Sequence, residues 1–176
     1  MNEQKKIVVF CSASERIDDC YKVLAYEVGE LIGKSGNHLV TGCSTNSMMG
    51  QVVRGFYQNS NQSQFHFGHY PKDLGHVEKP AKACVLYEHE TLMERQKGLI
   101  SGGDVYVVLP GGFGTLYEIT QVMTEMSVGQ LPLRPIYMVN NQNFYDDFIN
   151  HLKWLNDQQF VSKMVMDQVH VDMVLK

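Results

Sequence analysis

The 176-residue sequence predicts an α/β fold: three layers, with a mostly parallel central sheet flanked by helices. Three observations carry this expectation. Ile7–Cys11 (IVVFC) and Val105–Leu109 (VYVVL) are short apolar runs rich in β-branched residues, the pattern of strands buried on both faces. Each run ends in a loop of small residues, after which the apolar spacing turns helical. A strand, a loop, a helix and a returning strand are complete by residue 42, which is the unit of a parallel sheet with a right-handed crossover.

Taken in order, residues 1–6 are a polar lead-in to the strand Ile7–Cys11, and Ser12-Ala13-Ser14 is its exit loop. A helix begins at Asp18 or Asp19 with Tyr21, Leu24, Val28, Leu31 and Ile32 on one face. It stops at Ser35-Gly36, where Gly36 suits a left-handed cap. His38–Thr41 is the second strand. Residues 42–50 form a small-residue loop running into a helix through Met49, Val52, Val53 and Phe56. That loop reads either as a ligand-binding turn at the carboxyl edge of the sheet or as an ordinary connection.

Residues 58–63 are a polar surface loop, and Phe65-His66-Phe67 alternates like a short strand. Gly68 to Lys82, with Pro71, Gly75 and Pro80, reads as an irregular segment lying mobile over the sheet edge. Ala83–Tyr87 is another strand, Glu88-His89-Glu90 connects, and Thr91 caps a helix from Leu92 to Ile100. After Val105–Leu109 a helix carries Leu116, Ile119, Val122 and Met123 on one face. Pro135–Val139 is then the last core strand, with a helix from about Phe144 to Asn156. The apolar tail from Val165 to Leu175 packs back on the domain without a definite assignment. No repeat or linker interrupts the chain, so residues 1–176 are expected to form one domain.

Composition narrows the function. A net charge of −4 with 19% charged residues argues against nucleic-acid binding, which needs a basic face. No apolar run reaches the length of a membrane span and the N-terminus lacks a signal core, so a cytoplasmic protein without a membrane partner is expected. The four cysteines, Cys11, Cys20, Cys43 and Cys84, show no CxxC pairing and read as reduced thiols. His66 and His69 have no further histidine or cysteine at ligand spacing, so no metal is expected.

The chemistry concentrates in Leu109-Pro110-Gly111-Gly112-Phe113-Gly114-Thr115-Leu116-Tyr117-Glu118. Here a strand stops, glycines turn the chain, and a helix starts near Thr115. The first amides of a helix lack internal partners and carry the positive end of its dipole, and glycines let an anion approach them. Thr115 adds a hydroxyl, and Glu118 stands one turn further in, where it can face the same cavity. The competing reading is a tight turn capped by Thr115, with Glu118 completing a capping box. Upstream, Arg95 is placed either to hold a phosphate or ribose hydroxyl or to lie on a solvated face flanked by Glu94 and Lys97.

With Pro110-Gly111-Gly112-Phe113-Gly114-Thr115-Leu116-Tyr117-Glu118 preceded by Met93-Glu94-Arg95, the chain resembles the LOG ("lonely guy") family. These are cytokinin riboside 5'-monophosphate phosphoribohydrolases, many of them labelled lysine decarboxylases. The PGGxGTxxE motif matches completely, and support extends over nearly the whole chain. Val9-Phe10-Cys11 with Ser-Ala-Ser looks like the family's first strand and loop, and residues 124–129 with Arg134-Pro135 look like its next helix and strand entry. Asn143-Phe144-Tyr145-Asp146 resembles the following helix start.

The resemblance implies a Rossmann-like domain, a homodimer, and hydrolysis of the N-glycosidic bond of a nucleoside 5'-monophosphate, AMP or an N6-modified AMP, giving free base and ribose 5-phosphate. It further implies Arg95 and Glu118 as the catalytic pair, Gly111, Gly112, Gly114 and Thr115 as the phosphate loop, and Leu92 and Gln96 as further nucleotide-binding positions. Two segments depart from the pattern. Leu92 and Gln96 stand where MxxRK has methionine and lysine. In residues 42–50, which align with GGGxxGLMG, only the first and last glycines and the second methionine are kept.

Cleavage of such a bond builds oxocarbenium character on the ribose, which a carboxylate beside the sugar stabilises while it activates water. No cofactor is needed. A lysine decarboxylase needs pyridoxal phosphate and a Schiff-base lysine, which nothing in the sequence marks. Gln96 and the altered 42–50 loop motivate an alternative, a nucleotide-binding protein of the same fold with little or no turnover. A dinucleotide-dependent oxidoreductase is disfavoured, because Ser12-Ala13-Ser14 stands where GxGxxG should follow the first strand.

Overall fold

Seven strands pair in parallel in the computed structural model, which describes residues 3–72 and 85–172. They are β1 (Lys6–Phe10), β2 (His38–Thr41), β3 (His66–Pro71), β4 (Val85–His89), β5 (Val105–Val108), β6 (Ile136–Val139) and β7 (Val169–Asp172). Their order across the sheet is β4-β3-β2-β1-β5-β6-β7. The chain therefore winds outward from β1 in one direction and returns to its other side at β5. The β1/β5 boundary is the switch point, where the connecting loops part and leave a crevice at the carboxyl ends of the strands.

Helices α1 (Asp19–Lys34) and α2 (Ser47–Asn59) cover one face. On the other lie α3 (Leu92–Ser101), α4 (Phe113–Ser127), α5 (Asp146–Asp157) and α6 (Lys163–Met166). The period of two in β1 separates the two cores. Ile7, Val9 and Cys11 join Val28, Val52 and Phe56 on the first face, while Val8 and Phe10 join Ile119, Val122 and Met138 on the second. The α/β expectation holds, with every strand pairing parallel among the described residues.

Local signals read from the sequence recur in place. Asp18 caps α1, its carboxylate accepting from Cys20 N at 3.0 Å, and Gly36 follows the helix at φ +80°. Thr91 and Glu94 form a reciprocal capping box at α3.

Four expectations are corrected. β3 continues through Pro71, so residues 68–71 are strand rather than irregular. It pairs with β2 on one side and β4 on the other, a backbone pairing that Gly68, His69 and Pro71 do not advertise. The remainder of that segment, residues 73–82, lies outside the described residues, as do Ala83 and Cys84 of the expected strand. Glu88 and His89 belong to β4, an edge strand whose outward side chains need not be apolar. Pro135–Val139 is not the last strand, because β7 lies beside it. Its sequence, VHVD, is too short and too polar to stand out. Finally, α5 starts at Asp146 because residues 141–143 make a 3-10 turn with Gln142 and Asn143 at positive φ.

Where α1 crosses α2, glycines bring the backbones together. A Cβ on Gly29 would lie 2.0 Å from Val52 O, and one on Gly55 2.1 Å from Tyr26 O. Gly29→Ala is expected to destabilise the fold by about 3 kcal/mol, since two helix backbones must separate. Urea denaturation checks this; a loss below that of an ordinary surface substitution would mean the crossing is looser than it looks.

His66 is fully buried, its Nε2 sharing a hydrogen bond with Thr41 Oγ1 at 2.8 Å while Nδ1 has no partner among the described residues. Burial pushes its pKa down from 6.5 to about 4. The unfolded chain thus binds a proton that the native state refuses, so His66 contributes stability above pH 6.5 and loses it as pH falls toward 4. Roughly 2–3 kcal/mol should vanish between pH 7 and 4.5. In His66→Gln the fall over that range should be visibly shallower; parallel stability curves would exclude His66 as its source.

Candidate active site

A cavity of about 350 Å³ occupies the crevice at the switch point. The end of β1 supplies Cys11, Ser12 and Ala13; the end of β2 and the start of α2 supply Gly42, Ser44 and Met49; β3 supplies Pro71. Arg95 enters from α3, and Gly112, Gly114, Thr115 and Glu118 come from the loop and first turns of α4. The two loops at the switch are tied together, Ser12 N donating to Pro110 O at 3.2 Å.

The glycines of the α4 loop serve different needs. A Cβ on Gly111 would lie 2.0 Å from Thr115 Oγ1, so the fold itself requires glycine there. At Gly112 and Gly114 a Cβ would meet nothing within 4 Å. Both line the cavity, so the space kept free is cavity space. Gly112 is the N-cap of α4 and no side chain caps the helix, which leaves its first amides available for an anion. The alternative reading, a capping box between Thr115 and Glu118, is not formed.

Arg95 is held on several sides. Its Nη1 donates to Glu118 Oε1 at 3.4 Å and to Gln96 Oε1 at 3.1 Å, and its Nε donates to His69 O at 3.4 Å. Its Nη2 lies against Gly42, where a Cβ would come within 1.7 Å. The side chains of Arg95 and Glu118 are only 11% and 12% exposed, so the pair sits in a low-dielectric setting rather than on a solvated helix face. Glu94 and Lys97, flanking it in sequence, are exposed.

Burial raises the pKa of the Glu118 carboxyl, while Arg95 and then the Gln96 amide pull it back down. Burial, reinforced by Glu118, pushes the Cys11 thiol well above its ordinary range, so this cavity-lining sulfur is a poor nucleophile. Burial likewise raises the Tyr145 phenol, whose hydroxyl donates to Leu109 O at 2.6 Å and braces the strand end that leads into the loop.

Of the residues singled out from sequence, Arg95, Glu118, Gly112, Gly114 and Thr115 line the cavity together. Gly111 lies behind Thr115, and Gln96, 3% exposed, lies behind the Arg95–Glu118 pair. Leu92 is 50% exposed and is not among the cavity residues. Sequence reading did not single out Cys11, Ser12, Ala13 and Pro71. The loop after β1 could have been found from topology, since it opens at the switch point; Pro71 gave no signal. In residues 42–50, Cys43 and Ser47 have φ of 70° and 54°. These are positions where the LOG pattern has glycine, so the loop keeps a glycine-type backbone with side chains that strain it by about 1 kcal/mol each.

A family model described as "Possible lysine decarboxylase" matches residues 49–173. The chain is 26% identical over 160 residues to the cytokinin riboside 5'-monophosphate phosphoribohydrolase LOG of Oryza sativa subsp. japonica, covering 90% of this chain and 64% of that one. It is 26% identical over 167 residues to LOG7 of Arabidopsis thaliana, which bears the same activity name, covering 91% of this chain and 72% of that one. The chain thus spans less than two thirds of the rice protein's length.

Among solved structures, the molybdenum cofactor carrier protein of Chlamydomonas reinhardtii superposes with a TM-score of 0.72 at 18% identity, over 96% of this chain and 89% of that one. The molybdenum cofactor binding protein of Rippkaea orientalis superposes with a TM-score of 0.70 at 18% identity, over 97% and 90%. These two likenesses concern the fold alone. With the family model matched over most of the sequence and the PGGxGTxxE loop set beside Arg95, the chain belongs to the possible lysine decarboxylase family, the LOG family.

Proposed function

We propose that the protein hydrolyses the N-glycosidic bond of a nucleoside 5'-monophosphate, AMP or an N6-modified AMP. The observation that carries this is the Arg95–Glu118 pair, 3.4 Å apart, facing one cavity with the uncapped α4 loop. The phosphoribohydrolase activity for which the plant relatives are named supports it.

The 5'-phosphate lies on the first amides of α4, reached through the free space at Gly112 and Gly114, with the Thr115 hydroxyl beside them. Arg95 orients the phosphoribosyl group. Fixing the phosphate fixes the distance from Glu118 to the ribose, so its carboxylate stabilises the oxocarbenium ion and directs a water onto it. The water's oxygen bonds to the anomeric carbon, the C–N bond pair leaves with the base, one water proton goes to Glu118 and on to the base, and the other stays on the new sugar hydroxyl. Glu118 must be ionised to begin, so turnover should rise with pH through its raised pKa.

We also propose a homodimer. Phe113 and Met93, 93% and 78% exposed on the helices that bear the pair, offer an apolar surface for a second copy, which sedimentation analysis tests. The test of activity is incubation of folded protein with AMP and with an N6-prenylated AMP while free base is followed by chromatography; no release from either ends the proposal. Ser44 and the strained Cys43 favour a second reading, binding without turnover. Tight AMP binding that survives Glu118→Ala, with no hydrolysis by wild type, would establish it.

A further inference from the structure

Gln96 is 3% exposed, so its amide is cut off from solvent at both ends. Its Oε1 accepts from Arg95 Nη1 at 3.1 Å. A guanidinium only donates, so this contact fixes which end of the amide is oxygen. The other end, Nε2, is therefore a donor, and it has no hydrogen-bond partner among the described residues. A buried donor left open costs about 1–3 kcal/mol, which asks what it is kept for.

Glu118 stands beside it, since the Gln96 carbonyl and a Glu118 carboxylate oxygen accept from the same Arg95 nitrogen, and the amide favours the ionised carboxylate. One Nη1 thus serves two acceptors, Gln96 Oε1 at 3.1 Å and Glu118 Oε1 at 3.4 Å. The titratable groups facing Glu118 are Arg95 from α3, Cys11 from the end of β1 and Tyr145 ahead of α5. The thiol and phenol are kept neutral by burial, leaving Arg95, among the described residues, as the charge that compensates the carboxylate.

We propose that Gln96 is a positioning residue: its carbonyl aims the Arg95 guanidinium, and its amide N–H is the second donor of the Glu118 carboxylate. When an anionic ligand engages Arg95, the carboxylate loses part of its compensation, and the amide takes it up with a small side-chain rotation. An amide does this without a charge of its own. A lysine here would repel Arg95 and compete with it for the anion, whereas glutamine adds a donor and leaves the anion to the arginine. The catalytic meaning rests on the function proposed above; the geometry does not.

The test reads Glu118 directly. The protein is labelled with ¹³C at glutamate carboxyls, the Glu118 signal is assigned by its loss in Glu118→Gln, and its titration midpoint is compared between variants. Gln96→Met keeps volume and flexibility but has no donor, so its midpoint should lie about one pH unit above wild type. Gln96→Lys restores a donor with charge and should titrate at or below wild type. Midpoints for wild type and Gln96→Met that coincide overturn the inference. Should Gln96→Met not fold, Gln96→Lys decides alone, and a midpoint above wild type overturns it. Base release from AMP is assayed separately, so a wild type without turnover removes the proposed function and leaves the titration standing.

Discussion

Glu118→Gln should abolish base release, lowering kcat by about 10³-fold, while AMP binding changes little. The size follows from what the carboxylate does. In the proposed reaction it is the negative group that meets the positive charge developing on the ribose and takes a proton from the attacking water. A glutamine keeps the volume and offers a carbonyl to Arg95, so the guanidinium is not left buried without an acceptor. Gln96 Oε1 and His69 O continue to hold it.

Stability should fall by about 1–3 kcal/mol, because Arg95 loses its counter-charge but keeps an acceptor. Glu118→Leu should behave differently, since it strands a guanidinium only 11% exposed, and its thermal midpoint should drop by several degrees. Chromatographic base release, calorimetric AMP binding and thermal melts separate the three effects. Activity of Glu118→Gln within tenfold of wild type would remove Glu118 from the chemistry. Loss of binding in step with activity would recast it as a ligand contact.

Much of this site was legible in the sequence because its signals are local. The change from strand to helix spacing around Pro110–Thr115 fixed where a helix N-terminus meets a sheet edge, and the family motif named the carboxylate. Arg95 was ambiguous for a physical reason. Spacing along α3 says only which residues share a face, and Arg95 shares its neighbourhood with exposed Glu94 and Lys97. Its burial comes from Gly42 and His69, neighbours distant in sequence. The misread elements share a cause as well. β4 and β7 are the edge strands, where polar side chains can meet solvent and periodicity fades, and in β3 the buried His66 and His69 stand where aliphatic residues would mark a strand. The left-handed residues Cys43 and Ser47 were invisible for the opposite reason, since neither side chain announces such a backbone.

The two glycine-rich loops make opposite predictions. In Gly42→Ala the new methyl would lie 1.7 Å from Arg95 Nη2, so the guanidinium has to leave its seat. It can do so only by giving up the Glu118 contact or the His69 carbonyl, and a displacement of about 1 Å at a catalytic pair costs on the order of 10²-fold in kcat/KM. The loss should appear in kcat, because in the proposed reaction Arg95 orients the phosphoribosyl group.

Gly114→Ala meets no atom within 4 Å and falls in the first turn of α4, where alanine is the better helix former. That substitution should raise stability by up to about 1 kcal/mol while raising KM, because the methyl enters the cavity where the proposed binding mode brings the phosphate to the amides. Melting curves and steady-state kinetics on the same two variants check both claims. A Gly114→Ala variant that is more stable and equally active would mean that no ligand approaches this turn closely. One that gains stability and loses affinity would show that the fold gives up helix stability at residue 114 to keep the cavity open for an anion.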